Sequence, residues 1–503
     1  MKRTVTFMPD GVKREVESGT LISDAASAAG VEIKLPCAGR GRCGRCGVTI
    51  GETRGERVLA CQHRIEADMT VWIPTPEDRG KVVAVRDHRE IALDDRTPIS
   101  TGKGVAIDIG TTTIALEIVD MDKALGLYSS STENRQVERG EDILSRLQYA
   151  EEGGTAELRE LVVASVNDLL YTCVGGTKDV SHVWVSGNTV MQEIFAGNDP
   201  SYLRRPPYMP ENPVPSMAPG HGLELPEGCG FSFSPSPASF VGGDVMGGIV
   251  FSGMDRSDGM CLLIDVGTNG EVALGNREAM VVCSSSAGPA FEGAYLKSGM
   301  VSRTGAIDSV RIIDGVPSYT VIGGADPEGI CGSGVIDLVA QLSGGGLVDK
   351  KGSFTSKAAL VDGRYEVAPG IGISEDEIKN IILTKAAVFS AARTLVRSLG
   401  IAFGDLEKVY IAGGFGFFID LASAVSIGMF PDVPRERYEY LGNASLGASR
   451  SALLSKGFRD RLDSLIGRTA YVDLSSDPAF YDEYMSAQFL PHTDASLFPS
   501  VRY

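Results

Sequence analysis

Four cysteines, Cys37, Cys43, Cys46 and Cys61, stand in the pattern C-x5-C-x2-C-x14-C. Four thiolates are the ligand set that a [2Fe–2S] cluster requires. Glycines threaded between them let the loop curl and turn backbone N–H groups toward cluster sulfurs. Arg40, Arg42 and Arg45 offset the cluster's negative charge or face a partner. A structural zinc is the competing reading, but zinc knuckles more often use two CxxC pairs, and one is present here. The other cysteines, Cys173, Cys229, Cys261, Cys283 and Cys331, are scattered through apolar or Gly-rich segments and read as buried structural thiols.

A second chemistry is written twice. VAIDIGTTTIALEIV at 105–119 and LLIDVGTNGEVALGN at 262–276 repeat one another at an offset of 157 residues. Aligning Asp108 with Asp265 also pairs Gly110 with Gly267 and Thr111 with Thr268. An offset of domain length indicates a duplicated fold rather than a solenoid. In each copy an apolar strand ends in an aspartate that can hold Mg²⁺ through water. The following Gly and Thr offer N–H groups and a hydroxyl to phosphate oxygens. Two such turns facing each other would grip a nucleotide from both sides, with Thr112 and Asn269 extending the two sets.

Two further Gly-rich pieces fit an adenosine or a phosphate. KVYIAGGFG at 408–416 supplies Gly413 and Gly414, and GICGSGVID at 329–337 supplies Gly332 and Ser333 ahead of a helix. Tight strand–helix packing is the alternative for both. Glu271 and Asp244 are candidate water activators, although a structural carboxylate accounts for either equally well. No G-x4-GK[ST] occurs, which excludes a P-loop. The five histidines are dispersed without metal-ligand spacing.

The elements that must carry these residues are legible in outline. In the head, VTFMP and VKREVE read as strands about a PDG turn, with GVTI and TVWIP as further strands. LISDAASAAG reads as a short helix with Thr20 or Ser23 near its start and Gly30 at its end. A polar, Pro-punctuated joint follows, with a short strand in KVVAV. Farther on, SEDEIKNIILTKAAVFSAARTLVRSLG reads as one helix. Ser374 and Glu377 form its capping box and Gly400 ends it. At 503 residues two to four domains are expected. The division drawn is a head at 1–82, a linker at 83–102, and two body halves at 103–257 and 258–503.

Charge and hydropathy narrow the function classes. Residues 1–82 hold 13 Lys/Arg against 11 Asp/Glu, a net +2, and the rest of the chain carries −20 of the total −18. That balance lacks the basic footprint of general nucleic-acid binding. No run of about 18 apolar residues suggests a membrane span. The start, MKRTVTFMPDG, lacks the apolar run of a signal peptide. The expected location is the cytoplasm, where clustered cysteines serve as metal ligands more readily than as disulfides.

The head resembles the β-grasp [2Fe–2S] ferredoxins. The body resembles the ATPase superfamily of acetate and sugar kinases, Hsp70 and actin, whose two halves each carry a ribonuclease-H-like sheet with ATP between them. In that likeness DIGTTT at 108–113 is the first phosphate motif, DVGTNGE at 265–271 the second and IAGGFG at 411–416 the adenosine motif. With NRQVERGEDILSR at 134–146, VSGNTVM at 185–191, FVGGDVMGG at 240–248, CSSSAGPAFEGA at 283–294 and GICGSG at 329–334, nearly the whole chain resembles the reductive activators of corrinoid proteins. The resemblance implies ATP-dependent transfer of one electron from a [2Fe–2S] cluster to Co(II), regenerating the Co(I) that methyl transfer needs. It implies MgATP as cofactor, a corrinoid protein and an upstream one-electron donor as partners, and a homodimer. The short stretch before DIGTTT departs from larger members, where an extra middle domain is expected. Two other readings remain open here. One is an ATP-driven electron donor to another low-potential enzyme, like the activators of 2-hydroxyacyl-CoA dehydratases. The other is a small-molecule kinase with a redox head.

Overall fold

In the computed structural model, residues 2–8, 11–31, 33, 46–51, 56–73, 93–173, 176–293, 295–313, 315–356, 360–413 and 419–501 are described. Cys37, Cys43, Gly414 and the KVVAV segment lie outside them.

The head is one mixed sheet over one helix. Its strands are β1 (Lys2–Met8), β2 (Val12–Glu17), β3 (Gly47–Ile50), β4 (Glu56–Leu59) and β5 (Met69–Trp72), with α1 (Ile22–Ala28) after β2. The sheet order is β2-β1-β5-β3-β4, with β1 and β5 parallel at its centre. That is the β-grasp arrangement expected. Val5, Phe7, Val48 and Val71 from the sheet and Ile22, Ala25 and Ala26 from α1 form one core with Cys46 and Cys61. Neither polar residue at the start of α1 caps it. Leu21 occupies the cap position, the Thr20 hydroxyl donates to the Glu17 carbonyl, and Ser23 lies inside the first turn. Gly30 closes the helix in the left-handed region, at φ +70.

The first half of the body is built on β6 (Lys103–Ile109), β7 (Thr113–Asp120), β8 (Leu125–Glu133), β9 (Val180–Gly187) and β10 (Gly230–Phe233). Its helices are α2 (Ile143–Tyr149), α3 (Thr155–Tyr171), α4 (Thr189–Ala196) and α5 (Gly243–Ser252). The second half begins with β11 (Cys261–Val266), β12 (Gly270–Gly275) and β13 (Met280–Ser285). An inserted unit follows: β14 (Ala306–Ile313), β15 (Val316–Val321), β16 (Gly329–Ile330), α6 (Gly332–Gly344), β17 (Arg364–Ala368) and β18 (Ile371–Ser374). The chain then runs through α7 (Glu375–Ser398), β19 (Lys408–Ala412), α8 (Leu421–Ser426), β20 (Tyr438–Gly442), α9 (Ala444–Leu454), α10 (Lys456–Ile466), β21 (Thr469–Tyr471) and α11 (Pro478–Ala487).

The duplication is visible in the topology. The first sheet runs β10-β9-β6-β7-β8 and the second β20-β19-β11-β12-β13, with β21 added at its edge. Numbered within each half, both read 5-4-1-2-3, the ribonuclease-H-like order. The α7 capping box forms as the sequence indicates, between Ser374 and Glu377, and Gly400 ends the helix at φ +67.

Strand periodicity explains why both aspartates face the junction. Val105, Ile107 and Ile109 of β6 point into the outer core of the first half, with α3 and α4. Leu262, Ile264 and Val266 of β11 point into the outer core of the second half, with α7. The alternate residues Ala106, Cys261 and Leu263 enter a third core shared by both halves, with α5, α9 and α10. A strand places every second side chain on the same face. Asp108 follows Ala106, and Asp265 follows Leu263, so both carboxyls are delivered between the halves. The joint is docked at its end: Leu93 and Ile99 pack on this shared core, and the Asp95 carboxylate accepts from Ser455 Oγ and the Lys456 and Gly457 N–H groups at the start of α10.

Candidate active site

A cleft opens between the two Asp-x-Gly-Thr turns. Asp108, Gly110, Thr111 and Thr112 line one wall, Asp265, Gly267, Thr268, Asn269 and Glu271 the other, and Asp244 and Gly413 also line it. The turns touch: Thr112 Oγ1 lies 2.8 Å from Thr268 Oγ1. Thr268 Oγ1 is also 2.8 Å from Glu292 Oε1, to which it can donate. Every site residue of the two repeated turns therefore falls in one place.

The first turn is braced from behind by the segment 134–146. Asn134 Nδ2 donates to the Gly110 carbonyl at 2.9 Å, the Asn134 N–H to the Thr112 carbonyl at 2.8 Å, and Arg146 Nη2 to the Thr111 carbonyl at 2.5 Å. Arg146 is wholly buried and also donates to the Gly140 carbonyl and Gln136 Oε1. Two glycines are required by close approach. A Cβ at Gly110 would come 2.5 Å from the Thr113 carbonyl oxygen. One at Gly413, where φ is +96, would come 2.4 Å from the Val266 carbonyl oxygen and 2.8 Å from Asp265 Oδ1.

Gly332 and Ser333 are placed differently. They form the first turn of α6, and neither lines the cleft. Ser333 is buried and its hydroxyl donates to the Asp308 carbonyl at 2.8 Å, and a Cβ at neighbouring Gly334 would come 2.4 Å from the Ile307 carbonyl oxygen. The Gly-rich run here serves close helix–strand packing.

Five carboxyls line the cleft, and the surroundings of Asp108, Asp244, Asp265 and Glu271 oppose ionisation. Burial is the main cause for each. Burial, with the neighbouring Asp108 charge, pushes Asp244 up to about 7 against the donated Val245 N–H. Burial and the charges of Asp244 and Asp108 push Asp265 up to about 8. Glu271 is raised well above the usual range by burial, Asp244 and Asp265. Burial also raises Asp108, opposed by hydrogen bonds from Ser445 and Asn443. No Lys or Arg is among the described residues lining the cleft. Carboxyls crowded in this way call for a bound cation. Among the described residues no three His, Cys, Asp or Glu side chains converge as a direct ligand set. The donor set therefore fits Mg²⁺, which keeps several waters and binds through one or two carboxylates and substrate phosphates.

Sequence reasoning missed Asn188, Glu292, Asn443 and Ser445, which also line the cleft. One signal was available. Gly187-Asn188 and Gly442-Asn443 both end a strand and cap the following helix, α4 or α9, through the Asn side chain.

In the head, Cys46 and Cys61 are both buried and their sulfurs lie 3.2 Å apart. Gln62 Nε2 lies 3.6 Å from the Cys61 sulfur. The separation is too long for an S–S bond, near 2.05 Å, so the two thiols lie side by side and are not joined as a disulfide. The pair fits half of a cluster ligand set. Of the other thiols, Cys229, Cys261, Cys283 and Cys331 are buried and Cys173 is half-buried.

Three family models match the chain. The 2Fe-2S iron-sulfur cluster binding domain covers residues 7–66, the RACo middle region 103–257, and the C-terminal domain of RACo, the ASKHA domain, 259–502. The corrinoid activation enzyme RamQ of Eubacterium limosum is 28% identical over 574 residues, covering 94% of this chain and 96% of that protein. A [Co(II) methylated amine-specific corrinoid protein] reductase of Methanosarcina barkeri is 25% identical over 403 residues, covering 72% and 71%. A solved reductive activator for a corrinoid, iron–sulfur protein superposes with a TM-score of 0.75 at 30% identity, covering 99% of this chain and 100% of the other. The RACo middle region coincides with 103–257, the first ribonuclease-H-like half of the body.

Proposed function

Since this chain belongs to the reductive activators of corrinoid proteins, we propose that its cleft uses MgATP to drive an electron from the head onto the Co(II) of a corrinoid protein. The observation that carries the reading is the pairing of a ferredoxin head with a cleft whose two walls are repeated Asp-x-Gly-Thr turns in hydroxyl contact. A [2Fe–2S] cluster supplies a one-electron carrier, with plant-type potentials near about −400 mV. Raising one electron by about 100 mV costs about 2.3 kcal/mol. ATP can supply that if its two states bind the acceptor differently.

The chain's own residues divide the work. Cys46 and Cys61, with Cys37 and Cys43, hold the cluster. Asp108 and Asp265 hold Mg²⁺ through water and position the attacking water. Thr111, Thr112, Thr268 and Asn269 hold phosphates, with Gly110, Gly267 and Gly413 giving the backbone close approach, and Gly414 extending the adenosine wall. Asp244 and Glu271, with their raised proton affinity, are the groups suited to take a proton from water. The chain divides into a head at 1–82, a joint at 83–102 and two body halves at 103–257 and 258–503. An upstream one-electron donor reloads the head, two copies associate, and the work is done in the cytoplasm. Among the described residues no helix is long and apolar enough to cross a membrane.

A dehydratase activator leaves the 2Fe-2S domain at 7–66 unaccounted for, and a small-molecule kinase with a redox head leaves the match of the body to the corrinoid-activator family unaccounted for. The reading is tested by mixing the protein with a one-electron donor and an inactive Co(II) corrinoid protein, and following cobalt absorbance with ATP, with ADP and with no nucleotide. Co(I) should accumulate with ATP and not in the other arms. Equal rates in all three would reject the coupling to ATP.

A further inference from the structure

Two helices in matching places cross the junction between the halves. α5 follows β10, the fifth strand of the first half, and α9 follows β20, the fifth strand of the second. They pack closely: a Cβ added at Gly247 of α5 would come 2.7 Å from the Ala448 Cβ of α9. Their first residues differ in kind. α5 brings the acid Asp244 into the cleft, whereas α9 brings the neutral donors Asn443 and Ser445.

Both donors meet Asp108. Asn443 Nδ2 donates to Asp108 Oδ2 at 2.8 Å and Ser445 Oγ donates to Asp108 Oδ1 at 2.7 Å, so each carboxylate oxygen takes one bond. Asn443 has its other end fixed, because its Oδ1 accepts the Leu446 N–H at 2.8 Å as the cap of α9. Both side chains are buried. Among the described residues, Asp265, in the equivalent place of the second half, takes no such side-chain pair.

We propose that Asn443 and Ser445 are positioning residues for the ATP-dependent step, holding both oxygens of Asp108 in one orientation across the junction. The inference rests on the reading that Asp108 serves the nucleotide. Asp108 ends β6 of the first half, and its partners begin a helix 335 and 337 residues later, in the second half. The first phosphate turn thus has its working geometry only while α9 is seated against it. A carboxylate held in place by two donors has no reorganisation left to make when water and phosphate arrive. The division of labour follows from the chemistry: neutral donors orient Asp108 without adding charge, and the acidic burden falls on Asp244, Asp265 and Glu271.

The test uses the full chain. Ser445→Ala removes one donor at a helical position that favours Ala. Asn443→Asp keeps the helix cap and replaces the N–H donor by a like charge. Ser445→Thr retains a hydroxyl, and Asp108→Asn sets the floor. Turnover at saturating MgATP, affinity for a non-hydrolysable ATP analogue and the thermal midpoint are measured for each. Ser445→Ala and Asn443→Asp should each lower kcat about tenfold, the scale expected for a misplaced reacting group. For Ser445→Ala, analogue affinity should stay within about threefold of the parent with the thermal midpoint unchanged, and Ser445→Thr should keep most of the turnover. Parent kcat in both variants beside an inactive Asp108→Asn overturns the positioning role. So does loss of analogue binding at unchanged kcat. Parent turnover in Asp108→Asn would instead overturn the reading of Asp108 itself.

Discussion

Thr112 and Thr268, 156 residues apart in sequence, stand with their hydroxyl oxygens 2.8 Å apart, one from each half of the body. They join the two phosphate turns directly, and Glu292 accepts from the Thr268 end of the pair. The two repeated turns thus meet at residues proposed to hold a nucleotide's phosphates. Thr268→Val keeps the shape and removes the shared hydroxyl. ATP turnover should fall about tenfold, the cost of one preorganised donor, while Thr268→Ser stays near the parent rate. Unfolding in urea should change by less than about 1 kcal/mol. Equal rates for Val and Ser would deny the hydroxyl any part in turnover.

Asp244→Asn should trade activity for stability. Asp244 ionises near 7 in the fold against 3.8 ordinarily, because burial opposes its charge. The neutral form is favoured in the native state, so the benefit is complete below about pH 4 and is lost as pH rises through about 7. Without divalent cation, the Asn variant should gain on the order of 2 kcal/mol over the parent at pH 8 and nothing near pH 4. Its ATP hydrolysis should fall. Denaturant unfolding at the two pH values in EDTA, with a parallel hydrolysis assay, reads both; a gain that is the same at both pH values would reject the charge argument.

Arg146→Met removes the wholly buried guanidinium that braces the first turn. The carbonyls of Thr111 and Gly140 then lose buried donors. The expected loss is about 3 kcal/mol in chemical denaturation, with weaker ATP binding in the fraction that remains folded. A loss within 0.5 kcal/mol, roughly the scatter for surface changes, would show the brace to be dispensable.

Asp95→Ala should free the end of the joint. The Asp95 carboxyl is held down at about 2, chiefly by Thr97, with Gly457, Ser455 and Lys456 also donating. A depressed carboxyl contributes above its unfolded value and loses that contribution as pH falls from about 4 toward 2. Amide exchange over 93–99 should therefore speed up in the variant at neutral pH, by roughly tenfold for a lost local anchor. In the parent it should rise only in acid. Unchanged exchange in the variant would place the anchor elsewhere.

Much of this architecture is local enough to read from sequence. Asp108 and Asp265 were legible because each strand–turn–strand unit carries its own period-two pattern and its own Asp-x-Gly-Thr. The α7 capping box was legible because Ser374 and Glu377 are three residues apart. What acts across the fold was not. Asn443 and Ser445 meet Asp108 only through the packing of α9 against the first half, and a Gly-Asn pair at a strand end is a weak signal alone. Arg146 sat in a quoted motif, yet its partner Thr111 lies 35 residues away. Gly332 and Ser333 show the converse failure. A Gly-rich start of a helix reads alike whether it receives a phosphate or packs on a strand, and here Ser333 spends its hydroxyl on the Asp308 carbonyl. At α1 the expected polar caps gave way to Leu21.

The central claim is that ATP lifts one electron from the head onto cobalt, and a single-turnover experiment meets it most directly. Reconstituted protein is reduced, freed of excess donor, and mixed anaerobically with a Co(II) corrinoid protein, with or without MgATP. Cobalt and iron–sulfur absorbance are followed together. The account predicts close to one Co(I) formed per cluster oxidised when MgATP is present, and little Co(I) without it. Co(I) formed to the same extent without nucleotide, or cluster oxidation with no matching Co(I), would contradict it.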